Sequence, residues 1–322
     1  MAVTYRSATL DDATLAADVM TRAYPRLPQD PVLTRYRWER VRSGYRAARF
    51  LAERDGATVA FLGWIHGPWT RLPDRHCEVE VRLDVAEQQA SLVSEMWSWI
   101  ADQALAEEAG VLLAYCGEDE PVMLESLASL GYHRERTERV WELDLAIHGP
   151  RLLAEAAEAR ELAAAQGIRM TTFAAWDEAE KLRKLYELDS ITRLDIPSTL
   201  PILTESLEDF ERRNTGPDRR PDRMWIAVDG DRPVAMTYLR FPPVRGMVWT
   251  GYTASHPEYR GRGLARAVKL ESLAQAVELG VPRIGTDNDS ENAPMLHINQ
   301  RLGYEPRPGF VEHHKRVERQ GA

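Results

Sequence analysis

Ser255-His256-Pro257-Glu258-Tyr259-Arg260-Gly261-Arg262-Gly263-Leu264-Ala265-Arg266 is the stretch on which the fold reading turns. It follows an apolar run, Met247–Ser255, that reads as a strand, and it precedes a helical stripe of Leu270, Leu273, Ala274 and Val277. Two glycines let the backbone turn sharply between the two elements. Such a turn points several N–H groups one way at the positive end of a helix, an anion site suited to a pyrophosphate. Arg260, Arg262, Arg266 and Lys269 add mobile positive charge around it.

Working outward, Gly280 ends that helix, Arg283–Asp287 reads as a strand, and Ala293–Leu302 as a helix closed by Gly303. Upstream lie a strand, Ile168–Thr172, and two helices, Trp176–Ser190 and Leu200–Arg213. A loop, Asn214–Arg223, leads to a hairpin of Met224–Val228 and Pro233–Phe241 about Asp229-Gly230-Asp231. The chain up to Leu145 runs through a similar order. Val3–Ser7 reads as a strand, and Thr9 with Asp12 as a helix entry. A hairpin flanks Arg54-Asp55-Gly56, and Cys77–Val85 alternates as a half-buried strand. Val93, Met96, Trp97, Ile100 and Ala104 then form one helical stripe. Val111–Cys116, Met123–Leu130 and Arg139–Leu145 follow as strand, helix and strand. Between the halves, 151–166 is rich in Ala, Glu and Leu and predicts a connecting helix closed by Gly167. The fold class is therefore α+β in two similar units, 1–147 and 168–322, with a helical linker over 148–167.

The segment Arg260-x-x-Gly263-x-Ala265 resembles the acyl-CoA signature of the GNAT acetyltransferases, Arg/Gln-x-x-Gly-x-Gly/Ala. Asn288 to Asn292, followed by a helix and Leu302-Gly303-Tyr304, is similar to the family's second cofactor segment. Arg6 to Asp12 resembles its usual opening strand and helix. The likeness is firm over 168–316 and weaker before 145, and the whole resembles tandem GNAT proteins of the mycothiol synthase architecture.

That resemblance implies, in each half, a twisted mixed, mainly antiparallel sheet flanked by helices and splayed open between its fourth and fifth strands. It implies acetyl-CoA as the acyl-donor co-substrate. Its pantetheine arm would pair with Tyr252, Thr253, Ala254 and Ser255, and its pyrophosphate would rest on the amides of Arg262, Gly263, Leu264, Ala265 and Arg266, beside Arg260 and Gly261. Asn292 would bond the arm. In the first half the corresponding stretch, Asp84 to Leu92, has no glycine and no arginine, and Glu87 would repel phosphate. The first copy is thus expected to be degenerate, kept for packing or for shaping the substrate pocket.

Acetyl transfer to an amine needs a base for the amine, polarisation of the thioester and a donor for the leaving thiolate. Where many family members carry tyrosine for the last task, this chain has Asn299, which can donate a hydrogen bond but not readily a proton. Tyr252 or water then becomes the source of that proton. Asp287, at the end of a strand beside the expected splay, is one candidate base, and His256 is another. Asp189 and Asp195 lie in a segment expected to roof the pocket and to bind an ammonium. His313 and His314 are adjacent, so on a strand they face opposite ways and make no metal pair.

Composition sets the outer limits. The chain has 322 residues, 41 Lys plus Arg against 50 Asp plus Glu, and a formal net charge of −9. An acidic surface is a poor nucleic-acid binder and attracts cationic small molecules. The 44% apolar fraction suffices for two cores. Two cysteines, Cys77 and Cys116, without metal spacing, and no leader-like segment predict a cytoplasmic protein, and no apolar run predicts a membrane span. The expectation is an N-acetyltransferase of a small-molecule amine, working by direct transfer in a ternary complex as a monomer or homodimer. A non-catalytic acyl-CoA sensor and a protein or peptide N-acetyltransferase are the alternatives.

Overall fold

Alternation of apolar and polar residues, punctuated by turns, produces twelve strands and nine helices within the computed structural model, which describes residues 3–317. The first half runs β1 (Thr4–Ser7), α1 (Ala13–Ala23), α2 (Pro31–Glu39), β2 (Arg46–Arg54), β3 (Ala57–His66), β4 (His76–Leu83), α3 (Ala90–Ala106), β5 (Val111–Gly117), α4 (Pro121–Ser129) and β6 (His133–Asp144). Helix α5 (Leu145–Ala164) leads into β7 (Ile168–Thr172), α6 (Lys181–Arg193), α7 (Leu207–Asn214), β8 (Met224–Asp229), β9 (Arg232–Arg240) and β10 (Val248–Ser255). The chain closes with α8 (Leu264–Glu278), β11 (Arg283–Asp289), α9 (Ala293–Leu302) and β12 (Glu305–Arg316). Thr9 and Asp12 form the expected reciprocal cap, the Thr9 N–H donating to Asp12 Oδ2 at 2.8 Å. The whole α3 stripe, Val93, Met96, Trp97, Ile100 and Ala104, is buried, with α3 packed on β3 and β4.

All twelve strands form one sheet, ordered β1-β2-β3-β4-β5-β12-β6-β11-β10-β9-β8-β7. Each half contributes five strands in mirrored order, and the two central strands are exchanged. β6 pairs with β11, Val140 opposite Asp287 and Glu138 opposite Asp289. β12 lies between β5 and β6, with Glu312 opposite both Tyr115 and Arg136. β6 begins well before Arg139, where the sequence reading starts it, because it has a partner along both edges. The pairings are antiparallel except β4 with β5 and β10 with β11. The latter is brief: only Val248 and Trp249 pair, with Ile284 and Gly285, and then the two strands part.

Three helices depart from their expected bounds. α6 starts at Lys181, because Trp176 is buried with Phe210 and Tyr238 in the turn before it. α7 starts at Leu207 instead of Leu200, capped by Ser206, whose hydroxyl accepts from the Asp209 N–H at 3.1 Å. Pro201 disfavours helix in the residue before it, so 195–206 stays a loop beside the sheet. α5 is more than a connection. Leu152, Ala156, Ala159 and Ala163 are buried on its inner side, and Arg160 grips Glu271 of α8 through two bonds of 2.6 and 2.7 Å.

Candidate active site

The parting of β10 from β11 opens a cleft of about 1200 Å³ between the strands, under α8, α9 and the 195–200 loop. Tyr252 to Ser255 pair with β9 on one side only, so their backbone groups on the other side face the cleft without a strand partner. Gly251 is bulged out of the β9 ladder, between Thr250 and Tyr252. A Cβ on Gly251 would overlap the Tyr238 ring, so the bulge demands glycine. At the mouth, Gly261 and Gly263 take left-handed φ values of +75° and +80° with open space where a Cβ would stand. Gly263 is the N-cap of α8 and has no side chain to offer, so the first N–H groups of a fifteen-residue helix point outward unsatisfied. Arg260 pairs with Asp195, Arg262 donates to Gln166 at 3.1 Å, and Arg266 pairs with Glu155 of α5 at 2.5 Å. The residues fit an extended, phosphate-bearing thioester: donors at the mouth, a free strand edge along the wall.

The deep end is built from both halves of the chain. Asp287 of β11 accepts from the Trp249 indole N–H, and Glu138 of β6 stands beside it. Burial and the neighbouring Asp287 charge raise the Glu138 carboxyl above the ordinary carboxylate range. Nearby, Glu312 accepts from the Tyr115 hydroxyl at 3.0 Å, from His314 at 2.5 Å and from Thr199. Arg136 of β6 pairs with Asp289 at 2.6 Å. Glu138, Glu312, Tyr115 and Arg136 all line the cleft, and sequence reasoning singled out none of them. Their stretches read as ordinary charged strands, and only the exchange of β6 and β12 carries them to the site.

Most of the residues singled out from the sequence converge here. Tyr252, Thr253, Ala254, Ser255, Arg260, Gly261, Gly263, Leu264, Ala265, Arg266, Asn292, Asp287 and Asp195 line the cleft. Four differ from expectation. Asn299 is fully buried beneath the floor, its amide accepting from Lys269 Nζ at 2.6 Å and donating to Asn288 at 2.5 Å. Asp189, 1% exposed, accepts from Arg193 at 2.5 Å and Arg213 at 2.9 Å, and so ties α6 to α7 away from the cleft. Arg262 leaves the cleft and stacks over Tyr259. Asp195 does reach the cleft but pairs with Arg260, at the phosphate end instead of an acceptor end. Tyr252 donates its hydroxyl to Thr192 at 3.0 Å, and burial pushes that phenol up to about 12. His256 caps the turn before Arg260, accepting from the Glu258 N–H, and is not among the cleft residues.

The sequence model of the acetyltransferase (GNAT) family matches residues 185–304, which include the glycine turn, the splayed strands and the whole of α9. Over these residues the chain is similar to a GNAT acetyltransferase domain. The fold likeness extends further. A tandem GNAT protein from the clavulanic acid biosynthesis pathway superposes with a TM-score of 0.76 at 18% identity, over 99% of this chain and 100% of that one. A GCN5-related N-acetyltransferase from Sphaerobacter thermophilus gives 0.70 at 20% identity, over 98% and 95%. Both share the mixed α+β architecture of this chain.

Outside the matched residues, the first half has a parting of its own, where β4 and β5 pair only from His76 to Val79. Carboxylates fill the turn that follows. Asp84 accepts from the Ala86 N–H at 3.0 Å and from Arg22 at 2.5 Å, and Glu87 pairs with Arg54. Glu120 takes the Gly117 N–H at 2.6 Å and the Tyr24 hydroxyl. Here carboxylates already occupy the turn and one of its N–H donors, unlike the open glycine turn of the second half.

Proposed function

We propose that this protein transfers an acetyl group from acetyl-CoA directly to the amine of a small molecule within a ternary complex. The observation that carries the reading is the β10–β11 parting, with an uncapped helix N-terminus at one end and a carboxyl pair at the other. The α8 amides, with Arg260 and Arg266, hold the pyrophosphate, and the free edge from Tyr252 to Ser255 and Asn292 hold the pantetheine amides. The bulged Gly251 N–H is the donor at hand for the thioester carbonyl. Asp287 and Glu138 share one proton and one negative charge, which binds the acceptor ammonium and takes one of its protons, freeing the nitrogen lone pair for attack.

The acceptor end is closed by the strands of the first half and by the 195–200 loop, a shape suited to a small molecule more than to a protein surface. The acidic wall of Glu138, Asp287 and Glu312 favours a cationic acceptor. Calorimetry with acetyl-CoA, followed by thiol release with a panel of di- and polyamines, amino sugars and short peptides, tests this. Small cationic amines are expected to be acetylated and peptides to be poor acceptors. Preferential turnover of peptides overturns the small-molecule reading, and tight acetyl-CoA binding without any turnover makes the protein a sensor.

A further inference from the structure

Lys269 is a buried cation with no carboxylate partner. It lies six residues past Gly263 on α8, about 9 Å down the helix axis from the glycine turn. Its side chain is 1% exposed, yet it reaches the floor of the cleft. Nζ donates to Asn299 Oδ1 at 2.6 Å and sits 4.8 Å from the centre of the Tyr304 ring. No ion pair to it exists among the described residues, although an unpaired buried ammonium is costly. The charges nearby on α8 are committed elsewhere, Arg266 to Glu155 and Glu271 to Arg160. α9 presents Asn299, with His297 and Arg301 further along the cleft wall, and β10 presents Thr250, bonded to the Tyr304 hydroxyl at 3.4 Å. Only Asp287 of β11, itself paired with Glu138, pulls the other way.

A buried cation left without an anion beside a reaction cleft calls for an anion that arrives with the chemistry. A thioester anchored by its phosphates at the mouth puts its sulfur deep in the cleft, below the turn and along α8. We propose that the Lys269 ammonium faces that sulfur and protonates the leaving thiolate. As the acceptor nitrogen bonds to the acetyl carbon, the C–S bond breaks and its electron pair goes to sulfur. Lys269 Nζ gives sulfur its proton, releasing CoA as the thiol. The acceptor nitrogen loses one proton before attack and a second after it; each passes in turn through Asp287 and Glu138 to water, which returns one to Lys269 once the thiol has left. Asn299 is then a positioning residue, holding Nζ from behind.

This inference rests on the acetyl-CoA reading above, and the experiment separates the two. The thiol of bound CoA is titrated by its thiolate ultraviolet absorbance between about pH 6 and pH 10, in the wild type and in Lys269→Met. In the wild type the bound thiol is expected to ionise at least about one pH unit below free CoA, as a thiolate beside a cation does. In Lys269→Met it is expected at or above the free value, and Lys269→Gln should behave alike. Single-turnover acetylation should slow by about 10²-fold or more in both variants. A wild-type thiol that is not lowered overturns the proposal by itself, whether or not the variants fold. So does a thiol that titrates identically in wild type and variant while acetylation proceeds, and that outcome leaves the acetyltransferase reading standing. Failure of CoA to bind at all overturns both.

Discussion

Glu138 and Asp287 are expected to act as one unit. Asp287→Asn and Glu138→Gln are each expected to lower kcat by about 10²-fold or more, while calorimetry finds the acetyl-CoA Kd within a few-fold of wild type. Glu138 also leaves a mark on stability. Its folded proton affinity is raised above that of the unfolded chain, so its contribution is fully present in acid and is lost as pH rises through the raised value. Glu138→Gln has no such proton to lose. Urea unfolding at about pH 6 and about pH 9 should show the variant gaining on the wild type at the higher pH. An equal difference at both pH values would contradict the shared proton. At this scale the sequence was legible in part. Asp287 announced itself by ending a strand beside the expected splay. Glu138 did not, because His133-Arg-Glu-Arg-Thr-Glu138-Arg reads as a solvated strand until its neighbours are known. Asn299 was legible as a position but not as an environment, since the lysine in front of it lies thirty residues upstream on another helix.

Elements were easier to read than residues, because a turn carries its own conformational demands. Gly261 and Gly263 announce left-handed backbone, and the strand and helix flanking them follow from hydrophobic period alone. Gly263→Asp should therefore abolish acetyl-CoA binding by calorimetry while shifting Tm only slightly. The open turn accommodates the side chain at a backbone cost of about 1–2 kcal/mol, but the carboxylate cancels the field of the α8 amides. Asp195 makes the opposite prediction. It neutralises Arg260 through an exposed pair at the phosphate end, so Asp195→Asn frees that guanidinium and should tighten acetyl-CoA a few-fold at low salt, the gain shrinking as salt is added. Titrations at two ionic strengths check it. The start of α7 was misplaced because the 200–213 pattern is periodic enough for a helix, and a proline near its beginning together with the Ser206 cap decided where it forms.

Taken whole, the molecule is one sheet whose central strands belong to the opposite half from the strands beside them. Acetyl-CoA is expected to bind at one site per chain, because Asp84, Glu87 and Glu120 occupy the turn region of the first half. A calorimetric stoichiometry near two would contradict this. With β12 seated between β5 and β6, neither half completes its sheet alone. Urea unfolding followed by far-ultraviolet circular dichroism and by tryptophan fluorescence should therefore give coincident single transitions. Separated transitions would mean the halves melt independently. The likeness of order in the two halves was visible from strand and helix periods. The exchange was not, because period reports which face of a strand is buried and says nothing about which strand lies at its edge.

The exchange also sets an order of events on the ribosome. Glu142 pairs with Gly285 on one side and with Glu305 on the other, so β6 leaves the exit tunnel long before either partner has been translated. Until β12 emerges, the nascent chain carries open edges on β5 and β6 in what will become the middle of the sheet, the places where an unfinished protein recruits a neighbour's strand. Closing such distant pairings makes for slow refolding. A messenger truncated just before β12 would thus yield a chain that holds nearly every residue of the CoA cleft yet stays adhesive.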